Sequence, residues 1–252
     1  MAKGQERDRN LEGRRALVVG GSGGIGHAVA KGLASRGADL VITGGSDPDR
    51  LEATVSELRR FERSVEGFLI DIGRANDLLS QLGDDLAFDI LVLAFGPFMR
   101  KSLDTTSVED WEYLSLLNLA LPGALASALL PGMIKRGWGR LVFFGGTGTD
   151  TIKGFRTNAA YAAAKTGLGV LAKSIALEYA DFNIASFVLC PGLVDTEYLS
   201  PALRAELSAK SPRGLLLSAD AIGESAAFLA ADDPCLASGA QISLDGGLGF
   251  RN

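Results

Sequence analysis

Ala16-Leu17-Val18-Val19-Gly20-Gly21-Ser22-Gly23-Gly24-Ile25-Gly26 decides how the rest of the 252-residue chain is read. Ala16 to Val19 is apolar without alternation, which suits a strand buried on both faces of a parallel sheet. Five glycines crowd the next seven positions. Ile25, Val29 and Leu33 then recur at i, i+4 spacing, and Gly37 closes the helix they predict. A strand, a glycine turn and a helix in that order aim backbone N–H groups and a helix N-terminus at a pyrophosphate.

The same alternation continues outward. Further strands are expected at 39–43, 65–70, 88–95, 139–146, 184–189 and 240–244. Helical patterns fall between them, including Leu51-Val55-Leu58-Phe61 and the run Ala219 to Ala231. Alternation of this kind predicts a parallel sheet with helices on both faces and a ligand at the carboxyl ends of the strands. A long helical segment is expected from Val108 to Lys135, capped by Ser107 with Asp110 three residues on, and bent or interrupted by Pro122 and Pro131. Residues 1–13 read as a flexible polar tail, 14–252 as one domain. Residues 193–217 form a long insertion suited to a substrate lid.

Tyr161-Ala162-Ala163-Ala164-Lys165 carries the chemistry. Four residues apart on a helix, Tyr161 and Lys165 share a face. A phenol is a poor acid or base near neutrality, and an adjacent ammonium is expected to lower its pKa. The pair is a candidate acid/base unit for a carbonyl or an alcohol.

Composition narrows the field. Formal net charge is -5, and no Lys/Arg stripe points to nucleic acid. Apolar stretches are broken by Gly, Pro or polar residues, so no membrane span and no secretory signal are expected. Cys190 and Cys235 fit no metal spacing and are read as reduced thiols of a cytoplasmic protein. The single histidine, His27, is read as a helix-surface residue.

The order of these motifs resembles the short-chain dehydrogenase/reductase family, in particular its 3-oxoacyl-ACP reductase-like members, from about Arg14 to Phe250. The carriers are the glycine loop, Asp71-Ile72, Glu109-Asp110-Trp111 leading to Asn118, Gly139-Arg140-Leu141-Val142, Tyr161 with Lys165, Pro191-Gly192 with Thr196, and Gly239 with Asp245-Gly246-Gly247. The resemblance implies a Rossmann-type doubly wound α/β fold with a parallel sheet of about seven strands. It implies an NAD(P)-dependent oxidoreductase moving a hydride between nicotinamide and a ketone, secondary alcohol or 3-oxoacyl group. Tyr161 would be the acid/base. Lys165 would support it and hold the nicotinamide ribose, and Asn118 would hold a water. The implied cofactor contacts are Gly20, Ser22, Gly23, Gly24, Ile25, Gly26, Asp71, Ile72, Ala94, Phe95, Gly96, Tyr161, Lys165, Pro191, Gly192, Val194 and Thr196.

Three positions depart from the family pattern. The Ser expected after the fifth strand reads as Gly146, with Thr147 the candidate replacement and Thr149 the next hydroxyl. Leu93-Ala94-Phe95-Gly96 replaces Asn-Asn-Ala-Gly, and Val19 stands where a Thr is usual. The second strand ends Thr43-Gly44-Gly45-Ser46 with no carboxylate to repel a 2′-phosphate. NADP is therefore favoured over NAD, with Ser46 and the Gly45 backbone as phosphate donors. The departures keep open a second reading, a nucleotide-binding regulatory or scaffold protein that has lost its chemistry. Relatives' assembly implies a homodimer or homotetramer through the 108–135 helix and the Tyr-Lys helix, with Ala124, Leu125, Ala128, Leu129, Leu168, Leu171 and Ile175 apolar enough to be contacts, though they would serve equally as core.

Overall fold

The computed structural model describes residues 10–70, 75–83 and 86–250. Strands β1 (Arg15–Val19), β2 (Asp39–Gly44), β3 (Val65–Leu69), β4 (Ile90–Leu93), β5 (Gly139–Phe144) and β6 (Ile184–Pro191) precede a short pair, β7 (Val194–Asp195) and β8 (Leu217–Ser218), and β9 (Gln241–Leu244). The main sheet has seven strands in the order β3-β2-β1-β4-β5-β6-β9, and every pairing in it is parallel. The strand order reverses between β1 and β4, so a crevice opens there above the carboxyl ends.

Helices cover both faces. On one side α1 (Gly24–Ala34), α2 (Pro48–Leu58) and α8 (Ala219–Ala231) bury Val29, Leu33, Leu51, Ile222 and Ala226 against Val18 and Ile42. On the other, α3 (Ala75–Leu82), α5 (Leu121–Arg136) and α6 (Ala159–Tyr179) bury Leu78, Leu125, Leu129 and Leu168 against Leu91 and Leu141. The α1–α8 contact is close because glycines face alanines. A Cβ on Gly32 would come 2.7 Å from Ala227 Cβ, and one on Gly223 would come 2.5 Å from Ala28 O.

The segment at 108–136 is one helical run with an internal defect. Helix α4 (Val108–Ser115) begins at the expected capping box, Ser107 and Asp110 bonding each other's backbone N–H groups. Residues Leu116–Ala120 form a π-helical turn before α5. Pro122 explains its place: lacking an N–H, it cannot donate to the carbonyl of Asn118, four residues back. Pro131 sits inside α5 without ending it. The 29-residue run is long and apolar enough, by length and composition, to cross a membrane, which sequence alone did not predict. Half of its most apolar window is buried inside the fold, so its apolarity serves the core.

Other expectations need adjustment. Of the expected tail, residues 1–9 lie outside the described residues, while residues 10–13 form a turn that buries Leu11 completely. The insertion at 193–217 is ordered, holding β7, β8 and α7 (Pro201–Lys210). Cys190 is buried, Cys235 is half-buried, and both are free. Leu125, Leu129, Leu168 and Ile175, open to either use in the sequence as subunit contacts or as core, are core. Trp111, Tyr113 and Leu116 of the 108–136 run and Val170 and Leu177 of α6 are exposed.

The amino ends of the strands are knotted by arginines. Arg140 is fully buried and donates to Gly139 O, Asn183 O and Asp232 O at 2.8–2.9 Å. It shares Trp138 with Arg14, their guanidinium carbons 4.2 and 4.0 Å from the ring centroid. Asp89 accepts from Arg15 N and Arg136 Nε beside them.

Candidate active site

The glycine loop is packed as tightly as its composition predicts. Gly20 has φ +82°, and its N–H donates to Thr43 Oγ1 at 3.0 Å, tying the loop to the end of β2. A Cβ on Gly26 would overlap the Gly20 carbonyl and come 3.1 Å from Ala94 Cβ. Ala94 therefore serves the loop by being small. Ser22 lies against Gly44, where a Cβ would meet its Oγ at 3.2 Å. Gly45 has open space around it, and Ser46 is exposed.

Beyond this loop a cleft of about 770 Å³ runs along the strand ends, a size that suits a small-molecule site. Ile25, Ala94, Phe95, Gly96, Thr147, Tyr161, Lys165, Pro191 and Gly192 line it, so nine of the expected residues meet in one place. Helix α6 presents Tyr161 and Lys165 on one face. Lys165 is buried, and its Nζ donates to Phe144 O at 2.8 Å. Its Nζ lies 5.9 Å from the Tyr161 ring centroid. Phe98 meets the same ring edge-on, centroids 5.1 Å apart at 83°.

Asn118 approaches from behind Gly96. It is fully buried because the π-turn bulges it inward. Its Nδ2 donates to Pro97 O at 3.1 Å, while Oδ1 is buried without a partner. A Cβ on Gly96 would overlap that Oδ1 and come 3.0 Å from Lys165 Nζ. Glycine at 96 thus lets an orphaned acceptor and an ammonium close in on the same stretch of backbone. A buried amide oxygen is costly to leave unpaired, so Oδ1 marks an acceptor that a water or a ligand hydroxyl would satisfy.

Burial sets the charges. It pushes the Tyr161 phenol up to about 12 and pulls the Lys165 ammonium down to about 8. The expectation that Lys165 depresses the Tyr161 pKa is not met. Desolvation is the largest cause for both groups, and the ammonium is committed to Phe144 O. Tyr161 is a neutral proton donor here.

The missing serine has a steric explanation. A Cβ on Gly146 would come 2.9 Å from both Tyr161 Cε1 and its hydroxyl oxygen, so the phenol occupies that space. Thr147 lines the cleft, its hydroxyl donating to Pro191 O at 3.1 Å. Thr149 is buried, its hydroxyl accepting from Gly146 N at 2.9 Å and donating to Gly146 O at 3.0 Å. It braces the loop.

Several expected residues lie elsewhere. Asp71 and Ile72 fall outside the described residues. Val194 packs on the core and pairs with Leu217 in the small β7–β8 sheet. Gly23 and Gly24 lie at the amino end of α1 under Glu197 and Tyr198, with Thr196 alongside. His27 is not in the cleft and faces Glu57 at 3.3 Å. Among the described residues, no group of three or more His, Cys, Asp and Glu side chains could hold a metal ion.

Sequence reasoning missed two features. Arg50, in the first turn of α2, stacks 5.0 Å from the Tyr198 ring and so stands beside the glycine loop. Its signal was its position three residues beyond the cap Asp47. Leu203, Glu206, Leu207 and Lys210 of α7 wall the cleft with Arg100 opposite. The i, i+4 spacing of Leu203 and Leu207 was the available clue.

With this geometry in view, comparison with known proteins is direct. The chain belongs to the short chain dehydrogenase family, whose model matches residues 14–206. It is similar to the 3-oxoacyl-(acyl-carrier-protein) reductase FabG of Escherichia coli strain K12, 32% identical over 243 residues covering 95% of this chain and 98% of that one. It also resembles the D-beta-hydroxybutyrate dehydrogenase of Rhizobium meliloti, 26% identical across 93% of this chain and 98% of the relative. Among solved structures, a 3-oxoacyl (acyl-carrier-protein) reductase from Agrobacterium tumefaciens C58 with NADP bound superposes with a TM-score of 0.85 at 28% identity, covering 96% of each chain. A putative NAD(P) dependent gluconate 5-dehydrogenase from Beutenbergia cavernae, also with bound NADP, gives 0.84 at 28% identity, covering 96% of this chain and 99% of that one. With its family, this chain is an NAD(P)-dependent oxidoreductase working on CH–OH and C=O groups, and the reading as a scaffold without chemistry is not favoured.

Proposed function

We propose that the chain is an NADPH-dependent reductase of a 3-oxoacyl group or a related small ketone, acting in the cytoplasm as a homodimer or homotetramer. The observation that carries the proposal is the Tyr161 phenol lining the cleft with the buried Lys165 one helical turn away. When bound, the nicotinamide supplies the hydride. Tyr161 donates its hydroxyl proton to the substrate oxygen, and the Lys165 ammonium stabilises the phenolate that remains. Asn118 Oδ1, unpartnered near Lys165 Nζ, is the acceptor that would hold a water to return the proton. Thr147, which lines the cleft and would turn its hydroxyl from Pro191 O, is the one proposed to steady the reacting oxygen, since Thr149 is buried outside the cleft lining.

The residues present fit the dinucleotide. Gly20 and Gly26 let the loop fold tightly on itself against Ala94 ahead of the α1 amino end, and Ile25 lines the cleft beside them. No carboxylate ends β2, and Arg50 stands nearby, which supports NADP over NAD. Phe98, Leu199, Leu203 and Leu207 give the substrate an apolar wall. The 193–217 segment, carrying α7, is proposed as the lid over it. The exposed apolar side chains of α4 and α6 support assembly with a second copy.

The test is NADPH oxidation with a panel of 3-oxoacyl thioesters and simple ketones, repeated with Tyr161→Phe. Turnover should fall by about a thousandfold in the variant, while the NADPH Kd stays within about twofold. A panel that is silent for the wild type while NADPH still binds would return the chain to the scaffold reading.

A further inference from the structure

The amino end of α1, where a pyrophosphate belongs, is already engaged by the chain's own side chains. Gly24 N donates to Glu197 Oε1 at 2.9 Å. A Cβ on Gly23 would come within 2.5 Å of the same oxygen and 3.0 Å of Tyr198 Cζ, so both side chains lie directly on the loop. A Cβ on Gly24 would meet Tyr198 Cε2 at 3.3 Å. The Arg50 guanidinium sits 5.0 Å from the Tyr198 ring centroid and closes the stack from the side of β2.

The chemistry of the contact is that of a substituted ligand. A carboxylate at a helix N-terminus satisfies an orphan N–H and meets the positive end of the dipole. A phosphate oxygen seeks the same donors for the same reasons. The two anions cannot share them, because like charges at contact distance repel strongly at the dielectric of a half-buried site.

We propose that Glu197, with Tyr198, is an internal stand-in for the cofactor's phosphate, and that the dinucleotide binds by displacing it, so that Glu197 sets cofactor affinity. The proposal rests on the reading of the chain as dinucleotide-dependent. Displacement also reaches the substrate wall. Tyr198 is two residues from Ser200, whose side chain caps α7 through Leu203 N, and Leu203 and Leu207 of that helix line the cleft. Moving 197–198 aside takes Tyr198 off the Arg50 guanidinium, which keeps its 3.5 Å ion pair with Asp47, and shifts the start of α7 in one event.

The test measures dissociation constants of NADPH and NADH, by calorimetry or nucleotide fluorescence, for the wild type, Glu197→Gln and Glu197→Ala. Loss of the competing carboxylate should tighten both dinucleotides by about fivefold or more, the size of one hydrogen bond regained. The ligand-free variants should melt at or slightly below the wild type, and saturating NADPH should raise their Tm by more than it raises the wild type's. Wild-type binding with unchanged or weaker binding in both variants overturns the proposal and leaves the oxidoreductase reading intact. Binding by none of the three proteins overturns both.

Discussion

Gly146 shows how one missing side chain redirects a site. The phenol of Tyr161 fills the volume that a Cβ would take, 2.9 Å away. Restoring a serine is therefore expected to harm the enzyme: Gly146→Ser should lower kcat by about tenfold or more by pushing the ring off its seat against Phe98. Thr147→Ala should also lower kcat, by about tenfold to a hundredfold, through loss of a donor to the reacting oxygen. Thr149→Ala should mainly lower Tm. A gain of turnover in Gly146→Ser, or a larger kcat loss at Thr149 than at Thr147, would reassign the hydroxyl. Lys165 makes a second prediction with two opposite signs. Its folded pKa is near 8, below the ordinary 10.5. Burying the charged form thus costs stability below about pH 8, and the cost is relieved as pH rises toward 10.5. Reduction needs the ammonium, so kcat should hold level up to about pH 7.5 and fall above pH 8, while the denaturation midpoint gains from this residue over the same window. Lys165→Met should flatten both profiles at very low turnover. The Tyr–Lys pair was legible from spacing, and Asn118 from its segment. The Phe144 carbonyl that holds Lys165 belongs to another strand, and no local pattern announces it.

At the scale of elements, the sheet and the Ala219–Ala231 helix were readable because buried parallel strands are continuously apolar and helices keep their period. The π-turn was not. Pro122 predicted an interruption, yet the place and kind of the defect depend on which carbonyl lost its donor and on Gly96 leaving room for Asn118. Glu197 was hidden for a different reason: its role arises from a loop folding back across 173 residues onto Gly24. The α1–α8 seam is where element packing bears on the site, since α1 carries the glycine loop at its amino end. Gly223→Ala places a methyl 2.5 Å from Ala28 O. That overpacking should cost about 2–3 kcal/mol of stability and weaken NADPH binding as α1 tilts, measured by denaturant melts and titration. Unchanged stability would mean the seam is softer than its contacts indicate.

For the whole molecule, the exposed Val170 and Leu177 lie seven residues apart on one face of α6, with Trp111, Tyr113 and Leu116 exposed on the neighbouring run. Val170→Glu with Leu177→Glu should shift the protein to monomer in light scattering, with the far-ultraviolet spectrum retained. An unchanged assembly would move the interface elsewhere. The sequence left core and contact open for Leu125, Leu129, Leu168 and Ile175 because a helix of small and apolar residues does not declare which stripe faces its own sheet. The arginine knot around Trp138 and Asp89 has a consequence for how such a molecule fails. Its base is riveted by a fully buried guanidinium spread over three carbonyls, whereas the catalytic rim is held by glycine turns and single side-chain contacts. Heat or denaturant will loosen the rim first, so catalysis will fade while the circular dichroism of the sheet still looks whole. A preparation judged sound by its spectrum can already be inert.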